Sequence, residues 1–348
     1  MHNLKYSNYL IFLFVTPHPA NAVDTPENPA QRYVTLCKAA GDSVRLDVLR
    51  VLRQESMGVL ELCRIFDIPQ PRMSHHLKIM LNAGLVRTKR EAANVFYRRA
   101  VPQTDDPVRD LHAGLLAGAD QLPLTGRPAR RLTAVHRERA RQSRAFFSRH
   151  ASELREHQAR IAEYPNYAEC FDSARLQAGL DHDARVLEVG PGDSPLLTEL
   201  AAAYNTVTAL DNVPSMLDLA RQRAAATNVT FLEGDLESLS GDWDLIVLNM
   251  VLHHMSSPAN AMATCAARLS ARGTLLLADL CAHDQAWARK ACGDRWLGFE
   301  PAEVTEWANA AGLIAQSASF VAMKNGFQVQ VHAFSHADQP HLHSTRSR

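Results

Sequence analysis

The sequence predicts an α/β protein that consists of two domains joined by a helical connector. Residues 31–100 show the pattern of several helices followed by a β-hairpin, and residues 171–335 show strands that alternate with helices. Alternating strands and helices are typical of a parallel sheet with helices on both faces. The length of 348 residues fits this division, because most domains contain about 100–200 residues.

The charge is divided unevenly along the chain, although its formal net value is zero. Residues 32–99 carry 13 Lys and Arg against 6 Asp and Glu, and residues 127–160 carry 10 Arg against 3 Glu. Residues 172–335 carry 10 Lys and Arg against 19 Asp and Glu. A basic N-terminal part and an acidic C-terminal part indicate that the N-terminal part meets a polyanion.

The two ends of the chain and its cysteines indicate the cellular compartment of the protein. Within residues 1–30, the apolar run Tyr9–Val15 imitates a short secretory signal, but we expect a disordered extension or a start codon assigned too early. Residues 336–348 are expected to form a disordered tail. Six scattered cysteines are typical of a reduced compartment, and no apolar run reaches the length of a transmembrane helix. We predict a cytoplasmic protein without membrane contact.

The first predicted domain contains a helix-turn-helix. Residues Arg32–Arg53 have the apolar spacing of two helices, and Met57–Phe66 predicts a third. A tight turn at Asp67–Pro69 leads to a fourth helix, Gln70–Ala83, and Leu85–Ala100 predicts two strands around a polar tip. Two helices joined by a short turn and followed by a hairpin form the winged helix-turn-helix arrangement, whose second helix lies in the major groove of DNA.

The fourth helix and the hairpin carry the side chains that such a role requires. Hydrogen-bond donors occupy the outward positions of the helix: Gln70, Arg72, Ser74, His75 and Lys78. The hairpin, or wing, supplies cations for phosphate contacts: Arg87, Lys89, Arg90, Arg98 and Arg99. Phosphate contacts fix affinity and register, whereas contacts to base edges read the sequence. We therefore predict binding to double-stranded DNA.

The segment ELCRIFDIPQPRMSHHLKIMLNAGLV, followed by VFYRR, resembles the ArsR family of bacterial winged-helix repressors. The pattern Ser74-x-His76-Leu77-Lys78 and the sequence Ala83–Val86 carry most of the resemblance. It implies operator binding as a homodimer. Many members sense metals through a Cys-x-Cys pair before the turn, but this chain has Ile65 two residues after Cys63. One thiolate does not make a metal site, so we predict no metal.

Residues 101–170 are predicted to form a helical connector with a role in dimerisation. The pattern indicates a helix over Asp105–Gln121 and one long, arginine-rich helix over Arg130–Ile161. Its arginines fit either contact with DNA or packing against the neighbouring domain or a dimer partner. Tyr164 and Tyr167 precede the second domain and are placed to close over its pocket.

The second domain, residues 171–335, is predicted to bind a nucleotide-like ligand. Seven candidate strands follow one another: Arg185–Val189, Thr206–Leu210, Val229–Leu232, Leu245–Asn249, Thr274–Asp279, Ile314–Val321 and Gln328–Phe334. The intervening helices are expected at Pro195–Ala203, Ser215–Ala226, Ser257–Leu269 and Pro301–Ala311. Ligands of such sheets lie at the carboxyl ends of the strands.

The turn Gly190-Pro191-Gly192 after the first strand brings backbone N–H groups close to a ligand. Pro195 stands where a dinucleotide fingerprint needs its last glycine, and no Gly-Lys-Ser/Thr phosphate loop is present. Asp211 ends the second strand, where a carboxylate accepts from ribose hydroxyls. Asp235 and Leu236 end the third strand, with an acceptor for an adenine amino group and an apolar surface for the ring.

These elements together resemble the class I S-adenosylmethionine-dependent methyltransferases over about 160 residues. The resemblance rests on E-x-G-x-G at 188–192, Asp211, the Gly-Asp at 234–235 and the VLHH segment at 251–254. It implies a Rossmann-like, seven-stranded sheet whose last strand is antiparallel, and S-adenosylmethionine as cofactor. The cofactor-binding residues implied are Glu188, Gly190, Gly192, Asp211, Asn212, Asp235, Leu236 and Asn249.

The resemblance places His253 and His254 where a catalytic base or an acceptor contact lies, although either side chain also fits simple packing. Further candidates for the acceptor side are Asp279, His283, Asp284 and Trp296–Phe299. The Asp/Asn-Pro-Pro-aromatic motif and the Pro-Cys nucleophile of DNA methyltransferases are absent from the sequence. DNA is therefore not expected to be the methyl acceptor.

The whole chain from about 31 to 335 resembles bacterial fusions of an ArsR-type winged helix with a class I methyltransferase domain. Two functions follow from this resemblance. The first is a dimeric transcriptional regulator whose C-terminal domain senses S-adenosylmethionine or its demethylated product. The alternative is an active small-molecule methyltransferase whose winged helix serves autoregulation or dimerisation. A methyl acceptor of low molecular mass is a predicted partner in the alternative.

Overall fold

The computed structural model confirms the predicted α/β fold class. It describes residues 28–53, 55–91, 94–102, 106–151, 153–224 and 226–337. The expectations for residues 1–27 and 338–348, including the signal-like run, lie outside these ranges. Residues 29 and 30 belong to the first helix and residue 336 to the last strand, so the expected disorder was wrong for these residues. Within them, no helix combines the length and the apolar character needed to cross a membrane.

The N-terminal domain is a winged helix. Its four helices are α1 (Pro29–Ala40), α2 (Ser43–Val51), α3 (Val59–Phe66) and α4 (Gln70–Asn82). Its antiparallel sheet has the order β1-β3-β2, formed by β1 (Met57–Gly58), β2 (Val86–Glu91) and β3 (Asn94–Arg99). Leu49, Leu62 and Leu77 are fully buried and join three of the helices in one core.

The prediction that the third helix begins at Met57 was wrong. Met57 and Gly58 pair with Tyr97 and Phe96 of β3, so the chain is extended there and supplies a third strand to the wing. The helix begins at Val59, and the Glu61 side chain accepts a hydrogen bond from the Gly58 backbone N–H at 2.9 Å. This bond satisfies one of the free donors at the helix start.

The connector consists of three helices: α5 (Arg109–Asp120), α6 (Gly126–His150) and α7 (Leu154–Ala159). The predicted single helix over Arg130–Ile161 was therefore wrong in its bounds, since α6 begins earlier and ends at His150. Helix α6 ends at His150, and Leu154 at the start of α7 is buried in a small apolar cluster with Phe147, Val213 and Met216.

The C-terminal domain has a seven-stranded sheet with helices on both faces. Its strands are β4 (Arg185–Val189), β5 (Thr206–Asp211), β6 (Val229–Glu233), β7 (Trp243–Asn249), β8 (Leu269–Leu280), β9 (Leu313–Ala322) and β10 (Gln328–His336). Its helices are α8 (Ala168–Gln177), α9 (Leu196–Ala203), α10 (Pro214–Arg223), α11 (Pro258–Ala266), α12 (Trp287–Ala291) and α13 (Pro301–Ala310). The order is β6-β5-β4-β7-β8-β10-β9, and β10 is antiparallel to both of its neighbours, as the resemblance implied.

Adjacent residues of the central strand β4 point to opposite faces of this sheet. Val186 belongs to one buried cluster and Leu187 to a second one, so both faces are covered. Burial on both faces explains the nearly continuous apolar sequence of the strand. Strand β4 ends at the carboxyl edge of the sheet, and the turn at Gly190 therefore lies at this edge.

Arg139 of α6 joins the two domains. Its guanidinium contacts the winged helix through Glu55 and Glu61, with Arg139 Nη1 to Glu55 Oε2 at 3.0 Å and Nη2 to Glu61 Oε2 at 2.6 Å. The same group donates to the backbone oxygen of Ser256 at 3.0 Å and lies 5.1 Å from the Trp296 ring centroid. Only 2% of the Arg139 side chain is exposed, so this ion pair is shielded from solvent.

Replacing Arg139 by alanine is expected to lower the free energy of unfolding by about 3–5 kcal/mol, because two carboxylates lose their buried cationic partner. The measurement is denaturant unfolding followed by tryptophan fluorescence. Arg141→Ala is the matched control, since the Arg141 side chain is 75% exposed and pairs with Glu138 on the same helix. The control should change stability by less than about 1 kcal/mol. Equal effects of both substitutions would contradict the structural role of Arg139.

Candidate functional site

A cavity of about 960 Å³ lies at the carboxyl edge of the large sheet. Its floor is formed by the turn at Gly190–Ser194 and by the ends of β5 and β7, and its opposite wall is formed by α6 and α7. The volume is at the upper end of the range for small-molecule sites, about 300–1,000 Å³. The cavity therefore has room for a nucleoside-sized ligand together with a second small molecule.

The glycine turn after β4 has the close backbone approach that the sequence predicted. Gly190 has a φ of +65°, and a Cβ placed on it would lie 2.4 Å from Val251 Cγ2. Gly192 also has a positive φ, +53°. Only glycine adopts such conformations without strain. The turn is thus shaped to present backbone to a ligand, and side chains at Gly190 are excluded by Val251.

Three polar residues predicted for the cofactor meet at one end of the cavity. Asp211 ends β5, and its Oδ1 accepts from the Val213 backbone N–H at 2.8 Å. Burial raises the pKa of Asp211 to about 6, although the backbone N–H groups of Val213 and Asn212 oppose this shift. Asn212 Nδ2 donates to Asp235 Oδ1 at 2.6 Å, and Leu236 lines the same region. These residues fit a ribose and an adenine.

The other end of the cofactor region is ordered by Asn249 at the end of β7. Asn249 Oδ1 accepts from the Tyr167 hydroxyl at 2.8 Å, and its Nδ2 donates to Ser194 Oγ at 3.4 Å. Tyr167 and Tyr164 both line the cavity. The Tyr164 hydroxyl donates to Glu199 Oε2 at 2.7 Å. The structure therefore places both tyrosines at the pocket, as expected from the sequence.

Glu188 differs in position from the other predicted cofactor residues. Its side chain is buried within β4 and lies outside the cavity lining. Its two carboxylate oxygens have no hydrogen-bond partner among the described residues, and burial raises its pKa to about 8. A buried, unpaired carboxyl group is most stable in its neutral form. Direct contact of Glu188 with a cofactor stays a prediction, and its position favours support of the turn from below.

His253 and His254 lie side by side on the cavity wall, with ring centroids 3.9 Å apart. His253 Nδ1 lies 2.7 Å from Asp279 Oδ1. Burial alone would lower the pKa of His253, but the carboxylates of Asp279 and Asp294 raise it to about 9. Burial and the neighbouring charge of His253 hold the pKa of His254 well below its usual range. At neutral pH the two rings therefore differ, with His253 charged and His254 neutral.

Helix α6 supplies a wall of this cavity between Thr133 and Phe147. Phe147 packs edge-on against His254, with ring centroids 4.8 Å apart. Arg144 Nη1 lies 3.6 Å from Asp235 Oδ2, at the predicted adenine end. On α7, Arg155 Nη1 lies 3.4 Å from Asp193 Oδ2 of the glycine turn. The connector thus contacts two of the segments that would hold a cofactor.

The predicted DNA-reading side of α4 faces solvent. All five donor residues of this helix are exposed: Gln70, Arg72, Ser74, His75 and Lys78. Met73, Leu77 and Met80 lie on its opposite side and are buried in the winged-helix core. In the turn before α4, Asp67 forms an exposed ion pair with Arg131 of α6 at 2.9 Å. The packing of Met73, Leu77 and Met80 in the core therefore presents the five donors outward.

The wing corrects part of the sequence prediction. Arg87 and Arg90 are exposed, as a phosphate contact requires. Lys89 instead donates to the backbone oxygens of Leu297 and Gly298 at 3.4 and 3.1 Å, so the C-terminal domain holds its ammonium group. Arg98 pairs with Glu303, and Arg99 pairs with Asp120 at 2.7 Å. In this arrangement these last three cations join parts of the chain and do not face DNA.

Several residues expected on the acceptor side also lie elsewhere. The His283 ring packs against Phe327 with centroids 4.7 Å apart, and neither His283 nor Asp284 lines the cavity. Trp296 packs against Phe96 of the wing, with centroids 5.8 Å apart. Asp279 does not line the cavity, and its Oδ1 is bonded to the cavity residue His253. The segment after β8 thus serves mainly as an interface between the domains.

Arg139, Arg144, Phe147 and Asp294 are the functional candidates that the sequence did not single out. The first three belong to an arginine-rich helix, where no local pattern separates a buried arginine from an exposed one. Asp294 follows Gly293, which has a φ of +77°, and an added Cβ there would lie 2.4 Å from Phe146 Cδ1. A glycine before an isolated acidic residue was the one signal available.

Comparisons with known proteins assign both halves of the chain. A family model described as a methyltransferase domain matches residues 150–316, and one described as a bacterial regulatory protein of the arsR family matches residues 42–88. The transcriptional activator HlyU of Vibrio cholerae is 32% identical over 27% of this chain and 86% of that protein. The two family matches fall on the C-terminal domain and on the winged helix.

Two further proteins are similar to the C-terminal half. The ubiquinone biosynthesis O-methyltransferase of Xanthomonas axonopodis pv. citri is 28% identical over 43% of this chain and 69% of that protein. The second is magnesium protoporphyrin IX methyltransferase from Synechocystis PCC 6803, in its crystal structure with bound SAH. Its sequence is 18% identical, and the superposition covers 52% of this chain and 87% of that chain with a TM-score of 0.43.

Replacing Asp211 by asparagine is expected to weaken binding of S-adenosylhomocysteine about 10- to 100-fold, since hydrogen bonds to a charged acceptor contribute about 1.5–3 kcal/mol. In the wild type, affinity should fall as the pH drops below about 6, because the proton taken up by Asp211 competes with the ribose hydroxyls. The variant should lack this pH dependence.

The measurement is calorimetric titration of S-adenosylhomocysteine between about pH 5 and pH 8, a range that spans the raised pKa of Asp211. Asp218→Asn on α10 is the matched control, because that carboxylate is exposed and pairs with Arg221. It should behave like the wild type. Unchanged affinity in Asp211→Asn would rule out Asp211 as the ribose ligand.

Proposed function

We propose that this protein is a DNA-binding transcriptional regulator controlled by occupancy of its methyltransferase cavity. The chain belongs to the ArsR family of bacterial regulatory proteins and carries a methyltransferase domain. S-adenosylmethionine is the cofactor of this domain. The regulatory signal would be S-adenosylmethionine or its demethylated product, S-adenosylhomocysteine. A ligand controls DNA affinity only if it binds the DNA-bound and DNA-free forms unequally.

The observation that carries this proposal is the shared use of α6. Its N-terminal half packs into the winged-helix core through Val135 and binds the turn before α4 through the Arg131–Asp67 ion pair. The same helix lines the cavity between Thr133 and Phe147 and reaches the adenine end through Arg144. Any shift of α6 on ligand binding therefore acts on the support of the DNA-reading helix.

A second route joins the cavity to the wing. Asp294 lines the cavity, and the residues directly after it run to the wing, where Trp296 packs on Phe96 and the carbonyls of Leu297 and Gly298 hold Lys89. Five residues of chain thus connect the ligand site to β2 and β3. A packed interface of this kind transmits small displacements, because it has few alternative arrangements.

The charged state of His253 bears on the competing enzyme reading. Bound S-adenosylmethionine supplies an activated methyl group, so the chain's own residues have to align an acceptor and remove its proton. A His253 with a pKa of about 9 is already protonated at neutral pH and accepts no further proton. His254 stays neutral, and its Nε2 has no hydrogen-bond partner among the described residues. His254 is therefore the better candidate for a base in a small-molecule methyltransferase.

Two further features belong to the proposal. Family resemblance favours a homodimer, which would present two α4 helices to a two-fold symmetric operator. A cytoplasmic location follows from the two ligands, DNA and S-adenosylmethionine. In the alternative function, the space beside the cofactor holds a small methyl acceptor and not only water.

The test is operator affinity with and without ligand, measured by fluorescence anisotropy on a duplex selected by the protein from random-sequence DNA. Saturating S-adenosylhomocysteine or S-adenosylmethionine should change the affinity by about 5-fold or more, the range of ordinary coupling free energies. Arg72→Ala should lose selective binding, whereas Arg272→Ala, which removes an exposed arginine of the C-terminal domain, should not. If saturating S-adenosylmethionine and saturating S-adenosylhomocysteine both leave the operator affinity at its ligand-free value, the sensor is refuted and the enzyme function remains.

A further inference from the structure

Three metal-ligating side chains meet on the cavity wall beside the cofactor region. One ring nitrogen of His253, one of His254 and one carboxylate oxygen of Asp294 lie within 4.8 Å of one another. All three side chains are buried, with 3%, 7% and 3% of the residue exposed. Two imidazoles and one carboxylate form a set that binds divalent first-row transition metals.

The hydrogen bonds around the cluster leave its inner atoms without protein partners. Neither oxygen of Asp294 has a hydrogen-bond partner among the described residues, and the same holds for His254 Nε2. A buried carboxylate without a hydrogen bond is costly, so a structure that keeps one has a use for it. The distances from Asp294 Oδ1 to His253 Nε2 and to His254 Nδ1 are 3.7 and 4.0 Å.

The residues behind the cluster have the arrangement that supports metal ligands. His253 Nδ1 is bonded to Asp279 Oδ1 at 2.7 Å, which turns Nε2 of the same ring toward Asp294. The Asp279 side chain is fully buried and also accepts from the His253 and Leu280 backbone N–H groups. Ligating histidines usually donate their other N–H to a carboxylate in this way. Phe147 packs on His254 and limits its rotation.

We infer that His253, His254 and Asp294 form a binding site for one divalent transition-metal ion, of the kind represented by Zn²⁺ or Co²⁺, in the wall of the methyltransferase cavity. An ion with bonds of about 2.1 Å in tetrahedral geometry keeps its ligand atoms roughly 3.4 Å apart. The three ligand atoms lie within 4.8 Å of one another, so the side chains have to close by up to about 1.4 Å to hold the ion.

The surrounding charges are compatible with this site. Asp279 and Asp294 bring two carboxylates; burial raises the pKa of Asp294, and the charges of His253 and Arg289 oppose this shift. A divalent ion that replaced the proton on His253 Nε2 would balance the carboxylates of Asp279 and Asp294. Three protein ligands leave at least one open position toward the cavity, where water or an oxygen or sulfur atom of a second small molecule would bind.

This site is independent of whether the cavity serves as a sensor or as a catalyst. For an acceptor, a metal-bound hydroxyl or thiol has a lowered pKa, so the ion would take over the task of a base from His254, which as a ligand could no longer act as one. For a regulator, the ion would fix the segment that leads from Asp294 to the wing. Both uses need the ion to be bound first, and binding can be measured alone.

The test uses the full chain, stripped of metal with a chelator and titrated with Co²⁺, whose visible absorption reports the ligand set. The wild type should bind one equivalent per chain, confirmed by elemental analysis after gel filtration. Asp294→Asn and His254→Gln should weaken Co²⁺ binding at least about 10-fold. His182→Gln is the matched control, since His182 is exposed on the loop before β4.

Circular dichroism and the denaturant midpoint of unfolding report whether each variant keeps its fold. Loss of Co²⁺ binding in a folded Asp294→Asn or His254→Gln, with His182→Gln unaffected, supports the site. If the wild type binds no stoichiometric Co²⁺, or if the two site variants bind it as the wild type does, the inference is wrong. Neither result depends on a change in operator affinity, so the proposed function is tested separately.

Discussion

The arrangement of this protein depends on one buried cation, Arg139. Its guanidinium pairs with Glu55 and Glu61 of the winged helix and donates to Ser256, which follows the two cavity histidines by two residues. Charges removed from water are tolerated only when they are paired, so the position of α6 between the domains is strongly restrained. Burial alone would raise the pKa of Glu61, yet the hydrogen bond and charge of Arg139 lower it. The pair is thus held in its ionised form.

Because of this restraint, the cavity is connected to the winged helix. The same helix that carries Arg139 packs on the winged-helix core and forms a wall of the methyltransferase cavity. The chain after Asp294 makes a second contact, from the cavity to Lys89 and Phe96 of the wing. Because these contacts are packed and polar, the domains do not move independently while they persist. The cofactor cavity and α4, the helix predicted to read DNA, are therefore parts of one mechanical unit, which is the physical basis of the proposed regulation.

The sequence predicted those parts of the structure that depend on local spacing. Gly190, Asp211 and Asp235 follow successive strands, and parallel strands bring their carboxyl ends together, so their meeting could be predicted. Arg139 could not be identified, because it is one of ten arginines in residues 127–160 and only tertiary contacts bury it. Lys89 was assigned to DNA because wings carry phosphate contacts, but two carbonyls of the other domain hold its ammonium group. Contacts between domains leave no periodic trace in a sequence.

The most direct test of this account is the affinity for S-adenosylhomocysteine, measured by calorimetry on the free protein and on the protein bound to its operator duplex. Linkage requires the two affinities to differ by the same factor by which the ligand changes operator affinity. Arg139→Lys, which keeps the charge but loses the forked geometry, should bring that factor closer to one. Equal affinities for free and DNA-bound wild-type protein would contradict the claim that Arg139 and α6 couple the two sites.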